Sequence, residues 1–169
     1  MRRGYLYSGI ALVSAAMLMF ELTLTRLFAV AQWYHFAFLS VSVALLGYAT
    51  SGTLLSLTPP ERRDRLDAVG LGFPLSILAS FLITNYLPFD SYRLALEPIQ
   101  FIYLILYYLA LVLPFGFGGW VVSRWLSALP RQSGRVYAAN LVGSALGSAS
   151  LLGVLPLVGG EGAVALAAS

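Results

Sequence analysis

The sequence predicts an all-helical membrane protein, and three observations support this class. Of the 169 residues, 59% are hydrophobic and only 10% are charged, whereas about a quarter of the residues in a soluble domain carry charge. The mean hydropathy is +0.83. Long apolar stretches follow one another along the chain, separated by short segments rich in arginine, proline or glycine. We therefore expect a polytopic bundle of transmembrane helices.

Five apolar stretches are long enough to cross a bilayer, since about 20 helical residues span the roughly 30 Å hydrocarbon core. We expect these spans at about residues 5–31, 34–57, 68–89, 98–129 and 136–158. A sixth apolar run covers residues 161–169. It is too short to cross a bilayer, so we expect a partial sixth span. Truncation of a longer span is the favoured explanation, and peripheral pairing of this end is the alternative. The whole chain, 1–169, is interpreted as a single transmembrane domain.

Each span is bounded by charged or turn-forming residues. The first follows two arginines. We interpret it as a membrane helix rather than a cleaved signal peptide, because the charged residues Glu21 and Arg26 lie between its apolar run and any cleavage site. The second ends at Pro59, and the charged segment 61–67 separates it from the third. A polar loop at 90–97 precedes the fourth span, and a basic turn at 130–135 precedes the fifth. The fifth ends at the glycine-rich segment 159–162.

Arginine placement predicts the orientation of the chain. Eight of the ten arginines fall on one side if the spans alternate; they are Arg2, Arg3, Arg62, Arg63, Arg65, Arg124, Arg131 and Arg135. The other side has Arg93 in a loop and Arg26 near the end of the first span. Because arginine and lysine are enriched in cytoplasmic loops, we expect a cytoplasmic N-terminus in a bacterial inner (plasma) membrane.

The composition argues against several classes of function. With no cysteine and one histidine, neither a thiolate nor a histidine-rich metal site is possible, and we expect no metal ion and no cofactor. The arginines lie in turns between spans, so the expected partner is the lipid bilayer rather than nucleic acid. No nucleotide-binding glycine motif and no Ser-His-Asp arrangement is found, so no catalytic residue is assigned.

Two ionisable residues within the first span stand out, because a charge at depth in the bilayer costs on the order of 3 kcal/mol. Glu21 and Arg26 are five residues apart, which is about 140° of helical rotation, so they do not face one another. His35 begins the second span at a similar level. One interpretation is an outward-facing polar substrate site, or a proton-linked relay, that includes all three. The other is an interhelical ion pair for Glu21 and snorkelling of Arg26 to the interface.

Small residues recur every four positions in the fifth span, at Ala139, Gly143 and Gly147. In lipid such a stripe lets two helix backbones approach closely, so we expect a packing face there. Asn140, on the same helix, is able to form an interhelical hydrogen bond or to contact a substrate.

The fourth span is interrupted by Pro114, Gly116 and Gly118. Proline removes a backbone hydrogen bond and glycine loosens the helix, so a kink or a broken helix is expected. Broken helices line many transporter sites, but kinks are also ordinary in membrane bundles.

Three stretches of the chain carry a resemblance to a known family. They read FELTLTR at 20–26, SVSVALLGYATSG at 40–52 and YAANLVGSALG at 137–147, the last followed by LPLVG at 155–159. These stretches resemble the membrane part of the spermidine-synthase-like integral membrane proteins, in which a major-facilitator-like helix bundle is fused to spermidine synthase. The resemblance implies a bundle similar to half of a major-facilitator-type fold. It also implies an aminopropyltransferase-like domain, which these 169 residues do not include.

Two hypotheses for function follow. In the first, the chain is the membrane portion or a subunit of a spermidine-synthase-like protein and handles an amine or another small solute. Glu21 is then the cation-facing carboxylate, with Arg26, His35 and Asn140 as further candidate binding residues. In the alternative, the chain is a structural or accessory subunit that docks on other membrane helices, as a homo-oligomer or in a larger complex. Enzymatic activity is not expected of this chain alone.

Overall fold

The computed structural model describes residues 2–31, 35–59 and 69–169, and all regular secondary structure in these ranges is helical. The five α-helices are α1 (Arg2–Ala31), α2 (His35–Leu57), α3 (Val69–Tyr86), α4 (Ile99–Ala128) and α5 (Ser133–Ala168). Short 3-10 turns at Ser91–Arg93 and Pro130–Gln132 lie in the connections before α4 and α5. The positions at which the second and third spans were expected to begin, 34 and 68, lie outside the described residues.

Four helical segments in the described ranges are long and apolar enough to cross a membrane: Tyr5–Val30, Phe38–Leu57, Ile99–Ala128 and Pro130–Ala168. The apolar helix Gly72–Tyr86 is shorter. Large apolar side chains are exposed on the outer faces of these helices, where lipid would solvate them. This architecture confirms the predicted all-helical class and is consistent with an integral membrane protein.

The end of α3 differs from the expected boundary at 89. The helix stops at Tyr86, and a last hydrogen bond runs from the Leu87 amide to the Ile83 carbonyl at 2.9 Å. Pro88 follows, and a proline disfavours the helical conformation of the residue before it. Asp90 then accepts a hydrogen bond from the Tyr92 amide at 2.9 Å and caps the short 3-10 turn.

Contacts between the helices show that neighbours in sequence run in opposite directions. On α1 and α2, the Thr25 and Ser40 hydroxyls are 2.6 Å apart, and the Tyr48 hydroxyl lies 3.8 Å from the Met17 sulfur. A later residue of α1 therefore meets an earlier residue of α2, so these helices are antiparallel.

The first and fifth helices are parallel. A methyl group on Gly143 would lie 2.6 Å from the Ala11 Cα, and one on Gly147 would lie 2.7 Å from the Ala15 Cα. A later residue of α5 therefore meets a later residue of α1.

The second and fourth helices are also parallel, with Gly47 against Phe115 and Ser51 against Gly119. The third helix is antiparallel to the fourth, because Gly72 meets Phe117 and Phe89, just after α3, meets Tyr107. The ends of α1 to α5 therefore sort into two groups. We call the end that holds the start of α1 and the basic residues Arg124, Arg131 and Arg135 the arginine end. The end that holds residues 87–98 and Gly159 is the opposite end.

The core lies between the helices of the bundle. Its buried residues are Met17, Phe20, Leu24, Phe28, Val43, Ala44, Phe73, Ile77, Leu111, Phe115, Val164 and Ala167. The rings of Phe20 and Phe115 are 5.7 Å apart and tilted at 36°, and this separation is typical of aromatic pairs. All five helices contribute to this cluster, so the core ties the whole bundle together.

The last helix is broken at Gly159, whose φ is +69° and ψ is −175°. This backbone conformation is accessible essentially only to glycine. Leu151 and Ala163 belong to one cluster with Met19, although residues 12 apart in a straight helix would be separated by about 18 Å. The chain therefore folds back after Gly159, and the segment 160–168 enters the bundle.

Candidate functional site

Glu21 lies on the seam between α1 and α2. It is half-buried, and it stands one helical turn from both Met17 and Thr25, two α1 residues that contact α2. The same antiparallel register brings Ala44, which is small and buried, to the level of Glu21. The carboxylate is within electrostatic range of the Tyr48 hydroxyl. Among the described residues it forms no hydrogen bond and no ion pair.

The other residues proposed for this site are not brought together with Glu21. Arg26 is exposed and makes no ion pair with any described residue. His35 is the first residue of α2, and its side chain lies outside the described part of the structure. Asn140 lies on α5, where its side-chain oxygen accepts a hydrogen bond from Ser14 at 2.7 Å. Ser14 is seven residues before Glu21, about 10 Å along the helix.

Asn140 therefore takes part in a helix contact. The Ser14 hydroxyl is buried, and it also lies 2.8 Å from the carbonyl oxygen of Ile10 in its own helix. Interhelical hydrogen bonds of this kind typically contribute about 0.6 kcal/mol to stability in membrane bundles.

The small-residue stripe of α5 meets α1. Gly143 and Gly147 are both buried against Ala11 and Ala15, and Ala139 is half-buried one turn earlier. The two backbones are close enough that no side chain larger than hydrogen fits at either glycine without movement. The small-residue stripe therefore packs against α1 of the same chain.

The interrupted stretch of the fourth span remains helical throughout, because α4 runs continuously from Ile99 to Ala128. Pro114 is buried, Gly118 lies against the Met17 side chain, and a methyl group on Gly116 would meet no atom within 4 Å. A kink at this stretch stays a prediction. In the structure, this stretch allows α4 to lie close to α1.

A cavity of about 210 Å³ opens near the opposite end, between α1, α3, α4 and the start of the segment after Gly159. We call it the aromatic cavity. It is lined by Phe20, Leu24, Leu27, Phe28, Phe81, Thr84, Asn85, Tyr107 and Glu161. Four of these nine side chains are aromatic, and Glu161 is the one charged residue of the lining.

The fold-back after Gly159 positions Glu161 at this cavity. Gly160 contacts Leu27, such that a methyl group there would lie 2.6 Å from a Leu27 methyl carbon. Glu161 follows directly and is exposed. Sequence reasoning identified the glycine-rich turn but did not find this cavity, since the aromatic residues come from three helices with no shared motif.

Three charges in the loop before α4, at the opposite end, are paired with one another. Arg93 lies 3.4 Å from the Asp90 carboxylate and 3.4 Å from the Glu97 carboxylate, and all three side chains are exposed to a considerable degree. These contacts are local, at separations of three and four residues. Within the described ranges, no group of three or more His, Cys, Asp or Glu side chains is arranged to hold a metal ion.

A second groove, of about 330 Å³, lies between α2 and α4. Its lining is mostly apolar, and the hydroxyls of Thr50 and Ser51 donate to carbonyl oxygens of their own helix. The Trp120 Nε1 atom at this groove is buried without a hydrogen-bond partner among the described residues. The groove offers no charge, so it is less suited than the aromatic cavity to recognise a polar solute.

No protein-family model, curated protein sequence or solved structure matches this chain.

Proposed function

We propose that this chain is the membrane portion, or a membrane subunit, of a spermidine-synthase-like protein and that it handles an amine or another small solute. The observation that supports this proposal is the half-buried Glu21, whose carboxylate has no counter-charge among the described residues. An ionisable group in a membrane helix is costly and usually has a functional partner. A cationic solute supplies that partner.

The surroundings of Glu21 fit a site for a cation. The Tyr48 and Thr25 hydroxyls provide oxygen atoms along the same seam. These groups lie in a helix interface, where the effective dielectric constant is lower than in water and a charge pair is correspondingly stronger.

The proposal includes an orientation. The arginine end faces the cytoplasm of a bacterial inner membrane, and the opposite end, with the aromatic cavity, faces outward. The arginine bias between the two ends supports this arrangement.

The substitution Glu21→Gln tests the proposed site. It preserves the shape of the side chain and removes its charge, so we expect binding of spermidine or propylamine to the chain in lipid nanodiscs to weaken about tenfold or more. The matched control is Glu97→Gln, which removes an exposed acid already paired with Arg93 and should leave amine binding unchanged. Amine binding that is unaffected by Glu21→Gln would contradict the proposal.

A structural or accessory role is the second candidate, and the outer face of α5 favours it. This face exposes the apolar side chains of Tyr137, Leu141, Leu146 and Leu152, which are available to other membrane helices. If the purified chain is a lone monomer in mild detergent at all concentrations tested, this candidate fails.

A further inference from the structure

We propose that the aromatic cavity binds a compact organic cation with a single charge, such as an alkylammonium ion, rather than a polyamine. This inference rests on the proposed function in one respect, that the chain handles amines. It adds a binding site separate from Glu21 and a class of amine that this site selects.

The walls of the cavity suit the apolar substituents and the positive charge of such an ion. Phe20, Phe28, Phe81 and Tyr107 all line it, and the negative faces of aromatic rings attract organic cations. The Tyr107 ring is held between Phe28, at 5.7 Å, and Phe89, at 5.5 Å. This aromatic wall is therefore built before any ligand arrives.

The oxygen atoms of the lining also favour a positively charged ligand. The Thr84 hydroxyl donates to carbonyl oxygens of its own helix at 2.9 and 3.1 Å, so its lone pairs remain available as acceptors. Asn85 contributes an amide oxygen, and Glu161 contributes a carboxylate. No cationic residue lines the cavity, and Arg93 is engaged by Asp90 and Glu97. Within the lining itself, an anion would find no counter-charge.

Size and charge together limit the ligand. The cavity holds about 210 Å³, below the roughly 300–1,000 Å³ of sites for drug-sized ligands. A single carboxylate neutralises one positive charge. A polyamine would bring further ammonium groups to a lining that holds no second carboxylate.

Titration with tetramethylammonium chloride tests the inference, with saturation-transfer NMR on the full chain in nanodiscs as the readout. We expect tetramethylammonium to bind more tightly than its neutral counterpart tert-butanol and more tightly at this cavity than spermidine. Glu161→Gln should weaken binding about tenfold, and Phe81→Leu about threefold through loss of the ring. Glu97→Gln, an exposed acid of the same end outside the cavity, is the matched control and should leave binding unchanged.

The outcomes separate this inference from the proposed function. The inference is overturned if tetramethylammonium binds no more tightly than tert-butanol. It is also overturned if neither Glu161→Gln nor Phe81→Leu weakens the binding of tetramethylammonium. Both results hold against the inference even if amine binding still depends on Glu21. Binding that depends on Glu161 and Phe81 supports it, and should persist in Glu21→Gln. If, in addition, Glu21→Gln changes the binding of no amine, only the proposed site at Glu21 is contradicted, and the aromatic cavity is not.

Discussion

At the scale of single residues, the glycines of α5 differ sharply in what surrounds them. Gly147 is buried against the backbone of α1, with the Ala15 Cα 2.7 Å from where a methyl group would lie, whereas Gly153 has nothing within 4 Å of that position. Backbone atoms cannot rotate away as a side-chain tip does. The same substitution should therefore have opposite effects at two positions of one helix.

Gly147→Ala should destabilise the bundle by about 1–3 kcal/mol, because the added methyl group forces α1 and α5 apart. Gly153→Ala is its control and should be neutral or stabilising by up to about 1 kcal/mol, since alanine is the better helix former. Thermal unfolding of both variants in the same detergent measures the difference. Equal stability of the two variants would show that the close contact between α1 and α5 is not formed.

At the scale of elements, the bend at Gly159 decides where the end of the chain lies. The segment after it places Val164 and Ala167 in the core and Glu161 at the aromatic cavity. One backbone conformation therefore links the packing of α5 to the candidate ligand site.

Gly159→Ala should cost about 1–3 kcal/mol of stability, because a side chain at this φ and ψ is strained. It should also weaken tetramethylammonium binding by displacing Glu161. Gly134→Ala, at an exposed helical glycine with nothing within 4 Å, is the control for both measurements. Thermal unfolding and the NMR titration report the two effects, and a Gly159→Ala variant indistinguishable from Gly134→Ala in both would refute the role of the bend.

At the scale of the whole molecule, the alternating helix directions collect the arginine-bearing ends of α1, α4 and α5 at one end of the bundle. These 169 residues contain no cysteine, so a single introduced thiol is unique among them and makes the orientation of this end directly testable.

Single cysteines at Arg131→Cys and Tyr92→Cys should report opposite sides of the membrane. Both native side chains are exposed, and they lie at the arginine end and the opposite end. With a membrane-impermeant maleimide on intact cells, we expect Tyr92→Cys to react and Arg131→Cys to react only after permeabilisation. The reverse pattern would invert the proposed orientation.

The sequence by itself determined the all-helical membrane class. Hydrophobicity and the distribution of charge are local properties of the chain, and they decide directly whether a segment is stable in lipid. Turn-forming residues likewise indicated breaks near Pro59 and Gly159, since proline and glycine act on their own backbone. The spacing of Gly143 and Gly147 indicated a close helix contact, but not which helix it meets.

Only the tertiary structure decided which surfaces meet. It placed α5 against α1 and left Glu21 without a counter-charge among the described residues. It also showed that Asn140 contacts Ser14 rather than Glu21. It also brought residues as distant in sequence as Phe20, Tyr107 and Glu161 to one cavity. Long-range contacts of this kind depend on how the helices pack. Because helices in lipid are similarly apolar on all sides, no hydrophobic pattern along the chain specifies which helix packs against which.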